Sequence, residues 1–144
     1  MDFTDLKSQQ ARIREDIDER IKKVLDHGQY ILGPEIEEME EMLSTYVGAK
    51  HCIGASSGTD TLLIALMALG IGPGDEVITT PITFCATANA VLYQGADVKF
   101  VDIDKDTLNI DPNLIEEKIT EHTKAIMPVD FRGHPANLPE IRQI

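Results

Sequence analysis

The stretch His51-Cys52-Ile53-Gly54-Ala55-Ser56-Ser57-Gly58-Thr59-Asp60-Thr61-Leu62-Leu63-Ile64-Ala65-Leu66-Met67-Ala68-Leu69-Gly70-Ile71-Gly72-Pro73-Gly74-Asp75-Glu76-Val77-Ile78-Thr79-Thr80 decides the fold. His51 to Ala55 reads as a short strand, and Thr59 to Leu69 carries the denser apolar pattern of a helix. Gly70, Gly72, Gly74 and Asp75 make a sharp turn, after which Glu76 to Thr80 predicts a second strand. Strand, helix, strand with brief Gly/Asp/Pro punctuation is the repeating unit of a parallel sheet wound with crossover helices.

The same alternation continues downstream. Thr83–Tyr93 predicts a helix, Val98–Val101 a strand, Pro112–Ile119 a helix and Lys124–Val129 a strand; Leu138 opens a further helix. Upstream, Ile13, Ile17, Ile21, Val24 and Leu25 recur at helical spacing, and Gly28 stops that helix. Gly33-Pro34 restarts one, with Glu35, Glu37 and Glu38 at its N-terminal end, where the helix dipole favours acids. The expected organisation is a helical arm over residues 1–48 and strand/helix alternation over 49–144, forming one α/β domain with a mainly parallel sheet. Because the last helix starts six residues before the end, the sheet is expected to be incomplete, with a bare edge and a tendency to self-associate.

Composition narrows the partners. Twenty-five acids against 13 bases give a net charge of −12, which repels nucleic-acid phosphates and anionic lipid. No apolar run approaches the length of a membrane span and no leader-like segment opens the chain, so a cytoplasmic location is expected. Cys52 and Cys85 form no CxxC pair and read as free thiols. His27, His51 and His122 lack metal-ligand spacing, and His134, in a Gly-His-Pro turn, reads as a loop residue.

Ala55-Ser56-Ser57-Gly58-Thr59-Asp60 follows one apolar run and opens another, so free backbone N–H groups and hydroxyls gather at a positive helix end where phosphate binds readily. Ser or Thr before a helix also serves simply as an N-cap, and the residues alone leave both readings open. The run is neither a Walker P-loop nor GxGxxG.

Five ordered stretches resemble one family. They are Gln29-Tyr30-Ile31-Leu32-Gly33-Pro34-Glu35, Gly48-Ala49-Lys50-His51-Cys52, Ser57-Gly58-Thr59-Asp60, the run from Ala65 to Val77, and Val101-Asp102-Ile103-Asp104. Together they are similar to the N-terminal portion of the DegT/DnrJ/EryC1/StrS pyridoxal-phosphate (PLP) sugar aminotransferases. The resemblance implies the N-terminal part of a PLP-dependent transferase type I fold, specifically of its large PLP-binding domain. It further implies a homodimer with active sites at the subunit interface and amino transfer, usually from glutamate, to a keto group of a nucleotide sugar for cell-surface polysaccharide biosynthesis. Gly58 and Thr59 would hold the cofactor phosphate with Ser57 beside them, and Phe84 would stack on the pyridine ring, although core packing is the ordinary alternative for a phenylalanine. Thr80 to Asn89 leans towards the branch acting on 4-keto amino sugars.

The sequence departs from the family after Val129. Where relatives carry His, a Tyr-Gly or Ala-Gly step and Gln, this chain has Asp130-Phe131-Arg132-Gly133-His134-Pro135. A carboxylate there is unfavourable beside an anionic cofactor unless Arg132 or a proton offsets it. The Schiff-base Lys and the acid that pairs with the pyridinium nitrogen are expected beyond Ile144, so none of the 144 residues is expected to be catalytic. Lys22, Lys23, Lys50, Lys99, Lys105, Lys118 and Lys124 read as solvated charges. Three other readings stand beside aminotransfer: a PLP-dependent sugar dehydratase with His in place of the Lys, a non-catalytic product that binds a partner subunit or phosphate, and a small nucleotide-binding domain.

Overall fold

The computed structural model describes residues 4–144, which divide into two compact units with the boundary between Gly54 and Ala55. The first unit is helical. Helix α1 (Leu6–His27) starts where the Asp5 carboxylate accepts from the Ser8 N–H at 3.0 Å, and it ends at Gly28, whose φ of 70° lets its N–H turn back to the Val24 carbonyl. Helix α2 (Pro34–Val47) begins with Pro34 at its first turn and ends at Gly48, again with φ 70°. The Arg20 guanidinium clasps the Glu38 carboxylate through two bonds of 2.8 and 2.9 Å, tying α1 to α2. Neither helix contains a buried residue.

His51–Ala55, expected as a strand, forms none. The Gly54 N–H is taken by the Glu40 carboxylate at 2.6 Å instead of by a neighbouring strand, so the segment runs as an irregular link.

The second unit is the α/β layer structure expected. Helix α3 (Gly58–Ala68) leads through the glycine turn into strand β1 (Glu76–Thr79); helix α4 (Ala86–Tyr93), strand β2 (Asp97–Phe100), strand β3 (Thr123–Ile126) and the short helix α5 (Leu138–Ile141) follow. In the turn, Gly70 and Gly74 have φ of 70° and 91°, and the Asp75 carboxylate accepts from the Gly72 N–H at 3.0 Å. The strands are parallel in the order β2-β1-β3, with Val77 opposite Val98 and Ala125, and Ile78 opposite Lys99 and Ile126.

Strand β1 is buried on both faces. Its side chains alternate, as a strand's must. Val77 joins Leu66, Ile71, Ala90, Val91 and Ala96 beneath α3 and α4, whereas Ile78 joins Val101, Ile110, Ile115, Ala136 and Ile141 on the opposite face. Pro112–Ile119, expected as a helix, is instead two 3-10 turns, Pro112–Leu114 and Glu116–Lys118. Fully buried Ile115 between them pins this short connection to the core, and tight turns fit that span better than a continuous helix.

Lys99, expected as a solvated charge, also has a structural partner. Its Nζ lies 3.0 Å from Oε1 of Glu76, whose other oxygen accepts from the Thr120 hydroxyl at 2.7 Å. These bonds, led by that of Thr120, hold the nearly buried Glu76 carboxyl below its ordinary pKa.

Candidate functional site

In the second unit, α3 and α4 each pack against the sheet through a connection to β1. Helix α3 runs into the amino end of β1, and α4 departs from its carboxyl end, so both helices start at the carboxyl edge of the sheet. Strand β1 is also where the chain divides: α4 carries it over one face to β2, and the 3-10 turns carry it over the other to β3. The crevice at such a switch point is the usual ligand position in open parallel sheets.

Two features meet that edge. At the start of α3, Ser57 is extended (φ −158°) and its hydroxyl accepts from the Asp60 N–H at 3.2 Å, while its carbonyl accepts from the Thr61 N–H. The Gly58 and Thr59 N–H groups take no acceptor among the described residues and point out of the helix start as donors. A Cβ built at Gly58 would meet nothing within 4 Å, so the backbone there is uncrowded on its side-chain face. The second feature is Phe84, which follows β1 through Thr80-Pro81-Ile82-Thr83 and is 75% exposed. Phe84 thus lies outside both buried clusters of the second unit.

Ser57 therefore serves as the N-cap of α3, and its capping leaves the Gly58 and Thr59 N–H groups as free donors. Asp60 belongs to the motif read in the sequence, where it was given no role of its own. Its Oδ2 accepts from the Ser57 hydroxyl at 2.8 Å and from the Ser56 hydroxyl, and these two bonds, that of Ser56 foremost, hold the carboxyl below its ordinary pKa.

The divergent segment after β3 is organised by its own backbone. Asp130 Oδ1 accepts from the Ala136 N–H at 2.9 Å, and the Arg132 guanidinium lies over the Phe131 ring, 5.3 Å from its centroid. Arg132 thus stacks locally and forms no ion pair with Asp130. The buried Asn109 was missed in the sequence. Its amide donates to the His134 carbonyl at 2.8 Å and its Oδ1 accepts from the Phe131 N–H at 2.9 Å, clamping the 131–134 turn. Leu108 (φ 61°) beside it and Arg132 (φ 53°) and Gly133 (φ 79°) in the clamped turn mark tight backbone, but none of them points to Asn109 as the partner. Cys52 and Cys85 are free thiols, and no group of metal ligands occurs among the described residues.

The fold and this edge define an α/β protein with two free backbone N–H donors at a helix start and an exposed phenylalanine after the central strand of a parallel sheet. The chain belongs to the DegT/DnrJ/EryC1/StrS aminotransferase family, whose model matches residues 11–144. It is 54% identical, over its whole length, to the UDP-2-acetamido-2-deoxy-3-oxo-D-glucuronate aminotransferase of Pseudomonas aeruginosa, of which it covers 40%. It is 42% identical over 99% of its length to the dTDP-3-amino-3,4,6-trideoxy-alpha-D-glucose transaminase of Streptomyces venezuelae, covering 38% of that protein. Among solved structures, DesV of S. venezuelae superposes with a TM-score of 0.93 at 42% identity over 99% of this chain and 38% of that one. The Bacillus subtilis ntda structure, with bound cofactor PMP, gives 0.87 at 46% identity over 90% of this chain and 30% of that one. The chain thus spans well under half the length of these relatives.

Proposed function

We propose that this chain forms the cofactor-phosphate portion of a PLP-dependent aminotransferase that moves an amino group, usually from glutamate, to a keto group of a nucleotide sugar for polysaccharide biosynthesis. The carrying observation is the pair of free N–H donors of Gly58 and Thr59 at the carboxyl edge, in a chain that belongs to an aminotransferase family. In this reading Gly58 and Thr59 hold the phosphate, Ser57 shapes the turn as its cap, and the exposed Phe84 supports the pyridine ring by offset stacking. The residues fit the group: the donors are free, the backbone at Gly58 is uncrowded on its side-chain face, and Phe84 is exposed. When bound, PLP supplies an aldehyde to carry the amino group and an electron-withdrawing ring to stabilise the carbon from which the proton leaves. This chain's residues bind and orient that cofactor, while the Schiff-base Lys and the acid at the pyridinium nitrogen lie outside residues 1–144.

The relatives' names favour a particular carbon. One prints a 3-oxo substrate and the other a 3-amino sugar, which supports a 3-keto nucleotide sugar over the 4-keto class expected from Thr80–Asn89. The working form is a cytoplasmic homodimer. The charge of −12 fits partners other than nucleic acid or anionic membrane, and no helix among the described residues is long and apolar enough to cross a membrane.

Titration with PLP and with pyridoxal, which lacks the phosphate, tests the reading. PLP binds more tightly, and Thr59→Ala, which keeps the N–H but removes the hydroxyl beside it, shrinks the difference by roughly tenfold, the value of one charge-assisted hydrogen bond. Borohydride treatment leaves no cofactor fixed to residues 1–144. Equal affinity for the two compounds, or a cofactor fixed to one of the lysines in this chain, refutes the proposal.

A further inference from the structure

We propose that Asp60 is an internal competitor for the phosphate site, an anion built into the turn that sets how tightly the cofactor phosphate is held. This inference rests on the reading of the Ser57-Gly58-Thr59 turn given above.

The hydroxyl of a serine has a single proton to give. Those of both Ser56 and Ser57 are directed at Oδ2 of Asp60, so neither serine has a proton available for a phosphate oxygen while Asp60 holds it. Ser57 is doubly engaged, because its oxygen also accepts the Asp60 N–H at 3.2 Å. The carboxylate therefore already occupies two of the donors that a phosphate at this helix start would otherwise use. It also places a negative charge in the first turn of α3, where the helix dipole favours one anion and two repel. With its carboxyl held below the ordinary range by the two serine hydroxyls, Asp60 is charged at neutral pH, as the phosphate is.

Phosphate binding is consequently an exchange. The ligand gains the Gly58 and Thr59 N–H groups without contest, but it wins the serine hydroxyls only by drawing them from Asp60. The arrangement tempers affinity for the phosphate without altering the ring contact at Phe84.

Asp60→Asn tests this in the full protein. The amide oxygen can still accept a serine hydroxyl, so the cap survives and only the charge is lost. The expected result is PLP binding tightened about threefold to tenfold at low salt, the scale of one like charge a few ångströms away near the surface. The gain shrinks as salt is raised, and the affinity for pyridoxal is unchanged. A merely structural role for Asp60 predicts the opposite sign, since damage to the turn weakens binding. Unchanged or weaker PLP binding in Asp60→Asn overturns the proposal. Thr59→Ala, measured in parallel, separates the two levels. If it weakens PLP binding while Asp60→Asn does not tighten it, only the role of Asp60 falls. If neither variant alters the binding, the reading of the turn falls as well.

Discussion

Glu76 stands at the amino end of β1, remote from the proposed ligand edge, and its bonds to Thr120 and Lys99 make it a pH-dependent brace of the sheet. Its folded pKa is depressed, so its contribution is complete above the unfolded glutamate value of about 4.3 and is lost as pH falls through the lower, folded value. Urea midpoints measured from pH 7 to pH 3 should therefore fall more steeply in the wild type than in Glu76→Gln. Parallel curves would show that the brace adds nothing. Asn109 is a second such residue: Asn109→Ala leaves the Phe131 N–H and the His134 carbonyl without their partner and should cost about 1–3 kcal/mol in the same unfolding experiment. Neither residue's role was legible in the sequence, because each acts on partners far along the chain. The turn at Gly58 and Thr59 was legible from local order, since it precedes a helix, whereas Phe84 was singled out only through the family resemblance.

Elements were readable where their ends carry their own chemistry. Gly28 and Gly48 each close a helix in the left-handed region, and Pro34 opens one, so α1 and α2 follow from neighbouring residues alone. Gly48→Ala puts a Cβ into that left-handed backbone and should cost about 1–2 kcal/mol, seen as a lower thermal midpoint for the helical unit. Ser57→Ala, which removes the side-chain cap of α3, should cost about 1 kcal/mol. Two elements were misread: His51–Ala55, which lacks such terminal signals, and Pro112–Ile119, where Asp111 caps and Pro112 opens a turn that does not continue as a helix. The first depends on whether a strand lies beside it, and Glu40 binds its backbone instead. In the second, the depth of Ile115 decides the conformation, a fact of packing that eight residues cannot express.

Over the whole molecule, the α/β class was legible because strand and helix periods alternate, but the strand order β2-β1-β3 was not. That order depends on which faces Val77 and Ile78 present, and thus on partners from both sides of the sheet. Ile78, fully buried among Val101, Ile110 and Ile115, anchors the face opposite α3 and α4; Ile78→Ala should lower unfolding free energy by about 2–5 kcal/mol. The central place of β1 also bears on time. Its amides lie between two strands and two packed layers, so they trade hydrogen for deuterium only when the second unit opens as a whole, whereas those of α1 and α2, helices with no buried residue, escape through local fraying. A single deuterium time course therefore carries two clocks, a slow one in Val77 to Thr79 and a fast one in the helices. A ligand seated at the carboxyl edge would slow the first and leave the second running at its own pace.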